Sequence, residues 1–316
     1  WFFAIIRAMK KITEAKNLNG KRVLVRVDWN IPFDYRSGQV TDDFRVKASM
    51  PTLEYLQQAG AKIILATHLE SGSIEDLKKF VPAGAELLTN LRENPEEEAN
   101  SDEFAKELAA KADVYVNEAF SVSHRAHASI VGVPKYLPSY AGLRFVEEIA
   151  QLSKSFNPPH PFLFLLGGAK FETKVPLIQK FLQIADEIFI GGTNAVPAFA
   201  TDLKDNPKIF FPHGDIAALD IDDETIENLK LKIENSAFIL WNGPVGKYED
   251  GLKKGTLAIA QMIAGSGKTS IVGGGDTLAA IHELNLYDKF TFVSTGGGAM
   301  LEFLVKGTLP GIRALE

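Results

Sequence analysis

Apolar runs alternate along the chain with stretches whose apolar residues are spaced three or four apart, which predicts strands and helices in turn. In the first half, strands are predicted at 22–28, 62–67 and 114–117, and helices at 45–59, 102–112 and 143–157. In the second half, the predicted strands are 162–166, 188–190, 238–241, 270–272 and 292–294, all short and almost wholly apolar. Such runs are typical of parallel strands covered on both faces. The pattern therefore predicts an α/β fold with two doubly wound parallel-sheet domains.

Three prolines mark a break between the two halves. A chain of 316 residues is long enough for two cores, and Pro158, Pro159 and Pro161 interrupt any helix that reaches them. We therefore predict an N-terminal domain over 1–145 and an inter-domain helix and linker over 146–160. A C-terminal domain over 161–305 follows, and a tail over 306–316 is expected to return to the first domain.

Composition excludes several classes of protein. Hydrophobic residues make up 46% of the chain and charged residues 23%, which is typical of a globular protein. The net charge of −6 lacks the basic excess of a nucleic-acid binder. Without cysteine the chain has no disulfide and no thiolate metal site, which fits a cytoplasmic, soluble protein. The apolar start at 1–6 is too short to span a bilayer; it is either an extension before a native start at Met9 or a membrane-surface anchor.

Five strands of the second half end in turns rich in glycine. At the carboxyl ends of parallel strands, glycine lets the backbone approach a ligand, and the next helix offers free N–H groups to an anion. These turns therefore predict a site that grips nucleotide phosphates. None matches a Walker or dinucleotide fingerprint, and 265–269 (GSGKT) is interpreted as a loop. The five turns are Gly167-Gly168-Ala169-Lys170, Gly191-Gly192-Thr193-Asn194, Asn242-Gly243-Pro244, Gly273-Gly274-Gly275-Asp276-Thr277 and Thr295-Gly296-Gly297-Gly298-Ala299.

Charged residues accompany two of these turns. Lys170 and Lys174 are four apart at the start of a predicted helix, so we expect them to share one face. Lysines there oppose the helix dipole, which indicates a task other than stability, such as neutralising a phosphate. Asp276 follows three glycines and either caps the next helix or holds Mg²⁺ on the phosphates.

The first half carries polar side chains near its predicted strand ends. Arginine binds carboxylates and phosphates through paired hydrogen bonds, so a convergent set predicts a pocket for a small anionic substrate. The acidic cluster at 95–98, in contrast, is interpreted as a solvated loop or helix start. The set comprises Asp28, Asn30, Arg45, His68, Arg92, His124, Arg125 and His127.

Taken in order, these motifs resemble the phosphoglycerate kinase family. The resemblance rests on KRVLVRVDWN, TDDFRVKASMPTLEYL, HRAHASIVGV, LGGAKFETK, WNGPVGKYE, GGGDT and STGGGAMLEFL, and it covers nearly the whole chain. It implies two Rossmann-like domains joined by a helix. The first holds 3-phosphoglycerate or 1,3-bisphosphoglycerate, and the second holds ADP or ATP with Mg²⁺. A phosphoryl group passes between the acyl phosphate and ADP, in glycolysis, in a cytoplasmic monomer without nucleic-acid or membrane partners.

The resemblance also implies roles for individual residues. Arg45, Lys170, Lys174, Gly274 and Gly297 are the implied catalytic set, and Asp276 is the implied metal-binding residue. Gly191 and Gly192 would lie against the adenine, and Glu249 near the ribose. The implied triose-binding residues are Asp28, Asn30, Arg45, His68, Arg92 and Arg125. The implied nucleotide-binding residues are Gly168, Lys170, Lys174, Gly191, Gly192, Asn242, Glu249, Gly274, Gly275, Asp276 and Thr277.

The chain departs from the family pattern mainly in its first half. Where the family reads HLGRP, this chain has Glu70 and Ser71, so one triose-binding arginine is missing; Arg7, Arg36 and Lys78 are candidate replacements. The stretches 71–88 and 200–220 are shorter than usual. Three hypotheses follow: a compact phosphoglycerate kinase, a nucleotide-binding relative without triose catalysis, and a kinase for another small carboxylate.

Overall fold

The computed structural model describes residues 9–34 and 39–316. The alternatives for residues 1–8, and the candidate replacements Arg7 and Arg36, lie outside these ranges. The chain divides into two compact units, one formed by 1–150 together with 306–316 and the other by 151–305.

The first unit contains a five-stranded sheet in the order β3-β2-β1-β4-β5, with every neighbouring pair parallel. Arg26, the last residue of β1, is in register with Ala66 of β2 and Asn117 of β4, so three carboxyl ends are level. The strands are β1 (Arg22–Arg26), β2 (Lys62–Ala66), β3 (Glu86–Leu87), β4 (Val114–Asn117) and β5 (Ser139–Ala141). The helices are α1 (Phe44–Gln58), α2 (Pro95–Glu98), α3 (Asp102–Ala110) and α4 (Leu143–Leu152).

The second unit contains a six-stranded parallel sheet in the order β11-β10-β9-β6-β7-β8. Its strands are β6 (Phe162–Leu166), β7 (Glu187–Ile190), β8 (Ile209–Phe210), β9 (Phe238–Asn242), β10 (Thr269–Gly273) and β11 (Phe292–Val293). Its helices are α5 (Phe171–Phe181), α6 (Ala195–Phe199), α7 (Asp223–Asn235), α8 (Lys254–Ser266), α9 (Gly275–Glu283) and α10 (Gly298–Lys306), and α11 (Pro310–Arg313) belongs to the first unit.

The prediction of two doubly wound parallel-sheet units is confirmed. Every residue of β6 and β9 is buried, as their continuous apolar sequences require. The short strands β3, β5 and β8 were not predicted, because two or three residues carry too little periodic signal. Of the described helices, none is both long and apolar enough to cross a membrane.

Two local predictions are wrong. The helix predicted over 143–157 ends at Leu152 and continues as a 3-10 helix over Ser153–Phe156. The loop predicted at 265–269 is instead the end of α8, closed by Gly267 in the left-handed conformation (φ 67°), after which β10 begins. A glycine C-cap between a helix and a strand thus produced the resemblance to a phosphate loop.

Candidate active site

Asp28 is the centre of the polar group at the end of β1. The side chain is buried, and one carboxylate oxygen accepts hydrogen bonds from Arg45 Nη1 at 2.8 Å and from the Ser121 hydroxyl. The other oxygen accepts from the backbone N–H of Asn30 at 3.2 Å. Burial raises the pKa of Asp28, but opposing effects led by the charge of Arg45 outweigh it, so the net pKa lies below the usual value. Asp28 is therefore an anion that orients Arg45.

His68, directly after β2, is held as a neutral ring. Its Nδ1 lies 3.2 Å from Nη2 of Arg26, and a guanidinium only donates, so Nδ1 accepts and the proton is on Nε2. The distance of 3.8 Å from Nδ1 to Asp28 Oδ1 is consequently not a charged pair. Burial, with the positive charge of Arg26 next, lowers the pKa of His68 to about 3. His68 is thus a neutral ring that carries its proton on Nε2, and it does not act as an acid near neutral pH.

Arg92 lies among both acids and bases. Its Nη1 contacts Glu98 Oε1, and its Nη2 lies 3.9 Å from Glu70 Oε1. Burial and the nearby charge of Arg125 lower the pKa of Arg92, and Arg92 and Arg125 both act on His68. The structure therefore brings Asp28, His68 and Arg92 into one electrostatic group, and it adds acids on the outer side of Arg92.

The segment after β4 supplies His124, Arg125 and His127. Arg125 is half-buried, and His127 is buried with its Nδ1 3.9 Å from Glu97 Oε1. Burial, followed by the charges of Arg92 and Arg125, lowers the pKa of His127 to about 4. Glu97 accepts from the backbone N–H and the hydroxyl of Ser129, and it is 1% exposed. The prediction of a solvated acidic cluster is thus wrong for Glu97, because the helix α2 turns it inward.

In the second unit, four of the five glycine turns form the wall of a cleft of about 220 Å³. Gly167 and Gly243 pack together, and a Cβ on Gly167 would lie 2.1 Å from the carbonyl oxygen of Pro244. The backbone N–H groups of Gly167 and Gly168 donate to Asn242 O and Pro244 O, which fixes the turn after β6 against the turn after β9. The lining residues are Gly168, Ala169, Lys174, Asn242, Gly243, Pro244, Gly274, Gly275, Asp276, Gly297, Gly298 and Leu301.

The two lysines have different environments. Lys174 lies within α5, is 6% exposed, and donates from Nζ to the carbonyl of Gly167. Burial lowers its pKa to about 8, against a smaller opposing effect of Asp276. Lys170 is exposed and precedes α5 with a left-handed backbone (φ 64°). The expectation of one shared helix face is therefore wrong, because Lys170 lies outside the helix.

Asp276 and Thr277 begin α9. Asp276 is exposed in the cleft wall and does not cap the helix, since the N-cap residue is Gly274 (φ 105°). Thr277 is fully buried, and its hydroxyl oxygen accepts from the backbone N–H of Gly243 at 3.0 Å. Asp276 thus offers a carboxylate to the cleft, while Thr277 joins the turn after β10 to that after β9.

The other predicted nucleotide-binding residues lie at different distances from the cleft. Gly191 and Gly192 lie beside the cleft, where the N–H of Gly192 donates to Val245 O at 3.1 Å. Asn242 is buried in the wall, with its Nδ2 3.7 Å from Met300 Sδ. Glu249 is exposed in a 3-10 turn over Tyr248–Asp250 and is not part of the wall.

Known proteins match this chain over nearly its whole length. The family model described as phosphoglycerate kinase matches residues 12–83, 74–205 and 199–307. A phosphoglycerate kinase from Gloeobacter violaceus is 36% identical, and the alignment covers 97% of this chain and 99% of that protein. One from Leptospira biflexa (strain Patoc 1 / Ames) is 37% identical over 96% and 98%. The chain belongs to the phosphoglycerate kinase family.

Solved structures of phosphoglycerate kinases have the same fold. The protein from Coxiella burnetii is 29% identical with a TM-score of 0.81, and that from Pyrococcus horikoshii OT3 is 26% identical with a TM-score of 0.84. Each comparison covers 97% of this chain and 98% of the other.

The chain is a short member of the phosphoglycerate kinase family. The alignment to the Gloeobacter protein has 405 positions, and 97% of 316 residues is about 307, so about 98 positions have no residue here. The three segments matched by the family model overlap at residues 74–83 and 199–205. At these places β2 is joined to β3 by a 3-10 helix over Ile74–Phe80, and β7 is joined to β8 by the five-residue helix α6 and two 3-10 helices, over Gly192–Asn194 and Asp202–Asp205.

Sequence analysis gave no individual role to four residues that organise the site. Arg26, 1% exposed, donates to Ser129 Oγ and Val27 O as well as facing His68. Asn90 accepts from the N–H groups of Leu69 and Arg92, and so joins the two loops that carry His68 and Arg92. Ser121 donates to Asp28, and Asn194 donates to the carbonyl of Gly167. Arg26 and Ser121 both lie beside predicted site residues or strand ends, which is the one signal that a sequence offers for them.

Proposed function

We propose that this chain is a phosphoglycerate kinase that moves a phosphoryl group reversibly from 1,3-bisphosphoglycerate to ADP, giving 3-phosphoglycerate and ATP. The observation that carries the proposal is the cleft of the second unit, where four glycine turns surround a buried lysine and an exposed aspartate. We expect the enzyme to act in the cytoplasm as a monomer, without nucleic-acid or membrane partners.

The first unit is proposed to bind the triose. Arg45, held by the anionic Asp28, is aimed by a 2.8 Å hydrogen bond and contacts the substrate carboxyl end as a fixed cation. Neutral His68 donates from Nε2, since its Nδ1 faces Arg26. Arg92 and Arg125 supply further positive charge, and Asn30 contributes a short polar side chain.

The second unit is proposed to bind the nucleotide. Gly274, Gly275 and Gly297 bring backbone N–H groups to the phosphates. The N–H of Gly168 is held by Pro244 O, so Gly168 contributes by letting the backbone approach the nucleotide closely. Gly191 and Gly192 face the adenine, and Asn242 and Glu249 reach the nucleotide, Glu249 at the ribose. Thr277 is proposed to act mainly by holding the Gly243 N–H in place.

Phosphoryl transfer needs alignment and neutralisation of charge more than covalent help. Lys170 and Lys174 are proposed to contact the transferring phosphoryl group, with Arg45 stabilising it from the triose side. The acceptor oxygen of ADP is already ionised, so no general base is required. As the bond between the acyl oxygen and phosphorus breaks, the new carboxylate stays paired with the arginines.

Asp276 is proposed to hold Mg²⁺ together with the nucleotide phosphates. Among the described residues no three acidic, histidine or cysteine side chains form a complete metal cage. A single exposed carboxylate in a phosphate cleft fits Mg²⁺, which prefers one or two carboxylates plus substrate oxygens. The ion would neutralise phosphate charge, and Asp276 would fix its position.

The test is a coupled assay in which pure protein converts ATP and 3-phosphoglycerate, read as NADH consumption by a coupling dehydrogenase. Turnover that requires Mg²⁺ and is lost in Lys174→Ala supports the proposal. No turnover with folded protein refutes it.

A second candidate, a nucleotide-binding relative without triose catalysis, is favoured by the acids Glu70 and Glu98 against Arg92 and by Ser71 in place of an arginine. Lys78, the described candidate replacement, is exposed and paired with Glu75 Oε2 at 2.6 Å. Calorimetry separates the candidates, because ADP binding without 3-phosphoglycerate binding supports the second. Formation of ADP from ATP in the presence of a different small carboxylate would support the third hypothesis, a kinase for that carboxylate.

A further inference from the structure

The carbonyl oxygen of Gly167 receives two side-chain donors. Lys174 Nζ donates to it from α5, and Asn194 Nδ2 donates to it at 2.8 Å from the turn after β7. Gly167 is buried, so its carbonyl needs a donor from the protein. Since both donors lie on one oxygen, the ammonium and the amide are no more than about 6 Å apart.

Asn194 is an unusual residue for its place. It is fully buried, and no donor within the described residues reaches its Oδ1. Asparagine before a helix commonly caps it, but Asn194 has a helical backbone (φ −79°, ψ −18°) and makes no cap. A buried amide oxygen without a partner costs stability, so the contribution of Asn194 is the bond from Nδ2 to Gly167. With the amide flipped, Oδ1 of Asn194 would face the carbonyl oxygen of Gly167, and two acceptors would repel each other.

Two partners compete for the ammonium of Lys174. In the structure it donates to Gly167, while the cleft that it lines is the proposed phosphate site. If the lysine moves to a phosphate and leaves a buried carbonyl unpaired, the cost of the unpaired carbonyl offsets part of the free energy gained by contacting the phosphate. With Asn194 in place, the carbonyl keeps a donor and the turn keeps its position.

We propose that Asn194 is a positioning residue that keeps the Gly167 carbonyl hydrogen-bonded and in place while Lys174 engages the phosphates of the nucleotide. This inference rests on the proposed function for the identity of the ligand. Its test uses binding of Mg-ADP as well as turnover, so that the two claims fail separately.

The main variant is Asn194→Leu, which removes the donor and the unpartnered oxygen together. We expect the Kd for Mg-ADP to rise about tenfold, the loss typical of one buried hydrogen bond, with kcat reduced and the KM for 3-phosphoglycerate unchanged. The melting temperature should change little. The matched control is Asn235→Leu, at an exposed asparagine of the same unit.

A double-mutant cycle separates positioning from general packing. In a Lys174→Met background no ammonium has to leave Gly167, so Asn194→Leu should not weaken Mg-ADP binding further. Equal weakening in both backgrounds, or wild-type affinity of the single variant, overturns the inference.

Asn194→Asp gives a second readout and replaces the leucine variant if that one fails to fold. It has no N–H, and it sets a carboxylate near the ammonium, so the pH at which Mg-ADP binding declines should move upward. An unchanged pH profile contradicts the inference. Wild-type protein that binds Mg-ADP as described but does not turn over refutes the proposed function and leaves this inference intact.

Discussion

Glu70 is expected to weaken the binding of 3-phosphoglycerate by competing for Arg92. Its Oε1 lies 3.9 Å from Arg92 Nη2, and its backbone N–H donates to Asn30 Oδ1, which holds it at the site. At that distance two unit charges attract by ~1 kcal/mol in water. The side chains are 61% and 21% exposed, which keeps the value at or below this figure. Glu70→Gln should therefore lower the KM for 3-phosphoglycerate about two- to fivefold.

The assay is the coupled reaction at saturating Mg-ATP, with 3-phosphoglycerate varied at low and at high salt. The effect of Glu70→Gln should shrink as salt screens the exposed charges, and kcat should be unchanged. Glu107→Gln is the control, since Glu107 is similarly exposed and lies 3.9 Å from Lys111 instead. An unchanged KM at low salt refutes the competition. A raised KM would mean that Glu70 orients Arg92 for the substrate.

Three further outcomes test other parts of the structure. Because burial lowers the pKa of Lys174 to about 8, kcat/KM for ADP should fall above that pH and the pH dependence should disappear in Lys174→Met; a flat wild-type profile contradicts this assignment. Burial raises the pKa of Glu118 from 4.5 to about 8, against donors led by the Thr52 hydroxyl, so its contribution to stability is complete below pH 4.5 and is lost as the pH rises through 8. Urea unfolding measured between these two pH values should show a decrease in the free energy of unfolding, and this decrease should be smaller in Glu118→Gln. If the free energy of unfolding falls equally with pH in both proteins, Glu118 is not the group responsible. Gly167→Ala would place a Cβ 2.1 Å from Pro244 O, so we expect a loss of about 1–3 kcal/mol of stability together with weaker ADP binding, and calorimetry that finds wild-type affinity would show that the turn adapts.

Much of the fold could be predicted from the sequence because its signals are local. The apolar run of β6 was placed at the observed residues, and that of β9 ends one residue later than predicted, at Asn242. Strands such as β3 could not be predicted, because its two residues become a strand only by pairing with β2. Gly265 and Gly267 mimicked a phosphate loop because a C-cap and such a loop use the same residue.

The candidate site was predictable in its residue types and not in its pairings. Arg22 and Arg26 are alike in sequence, yet Arg22 is exposed beside Asp113, and Arg26 is buried with partners from distant segments. Likewise, nothing local shows that Glu98 faces Arg92 or that Asn194 faces Gly167. These contacts depend on which strands are neighbours, which is a property of the whole fold.

Lys174 in the glycine cleft is proposed to stabilise the phosphoryl group as it passes directly between the nucleotide and the triose. The most direct measurement is Mg²⁺-dependent conversion of ATP and 3-phosphoglycerate by purified wild-type protein beside Lys174→Met at equal concentration. We predict turnover by the wild type and a loss of at least about a hundredfold in kcat for the variant. Folded wild-type protein that binds Mg-ADP and produces no 1,3-bisphosphoglycerate, or a Lys174→Met variant with wild-type kcat, would contradict the account.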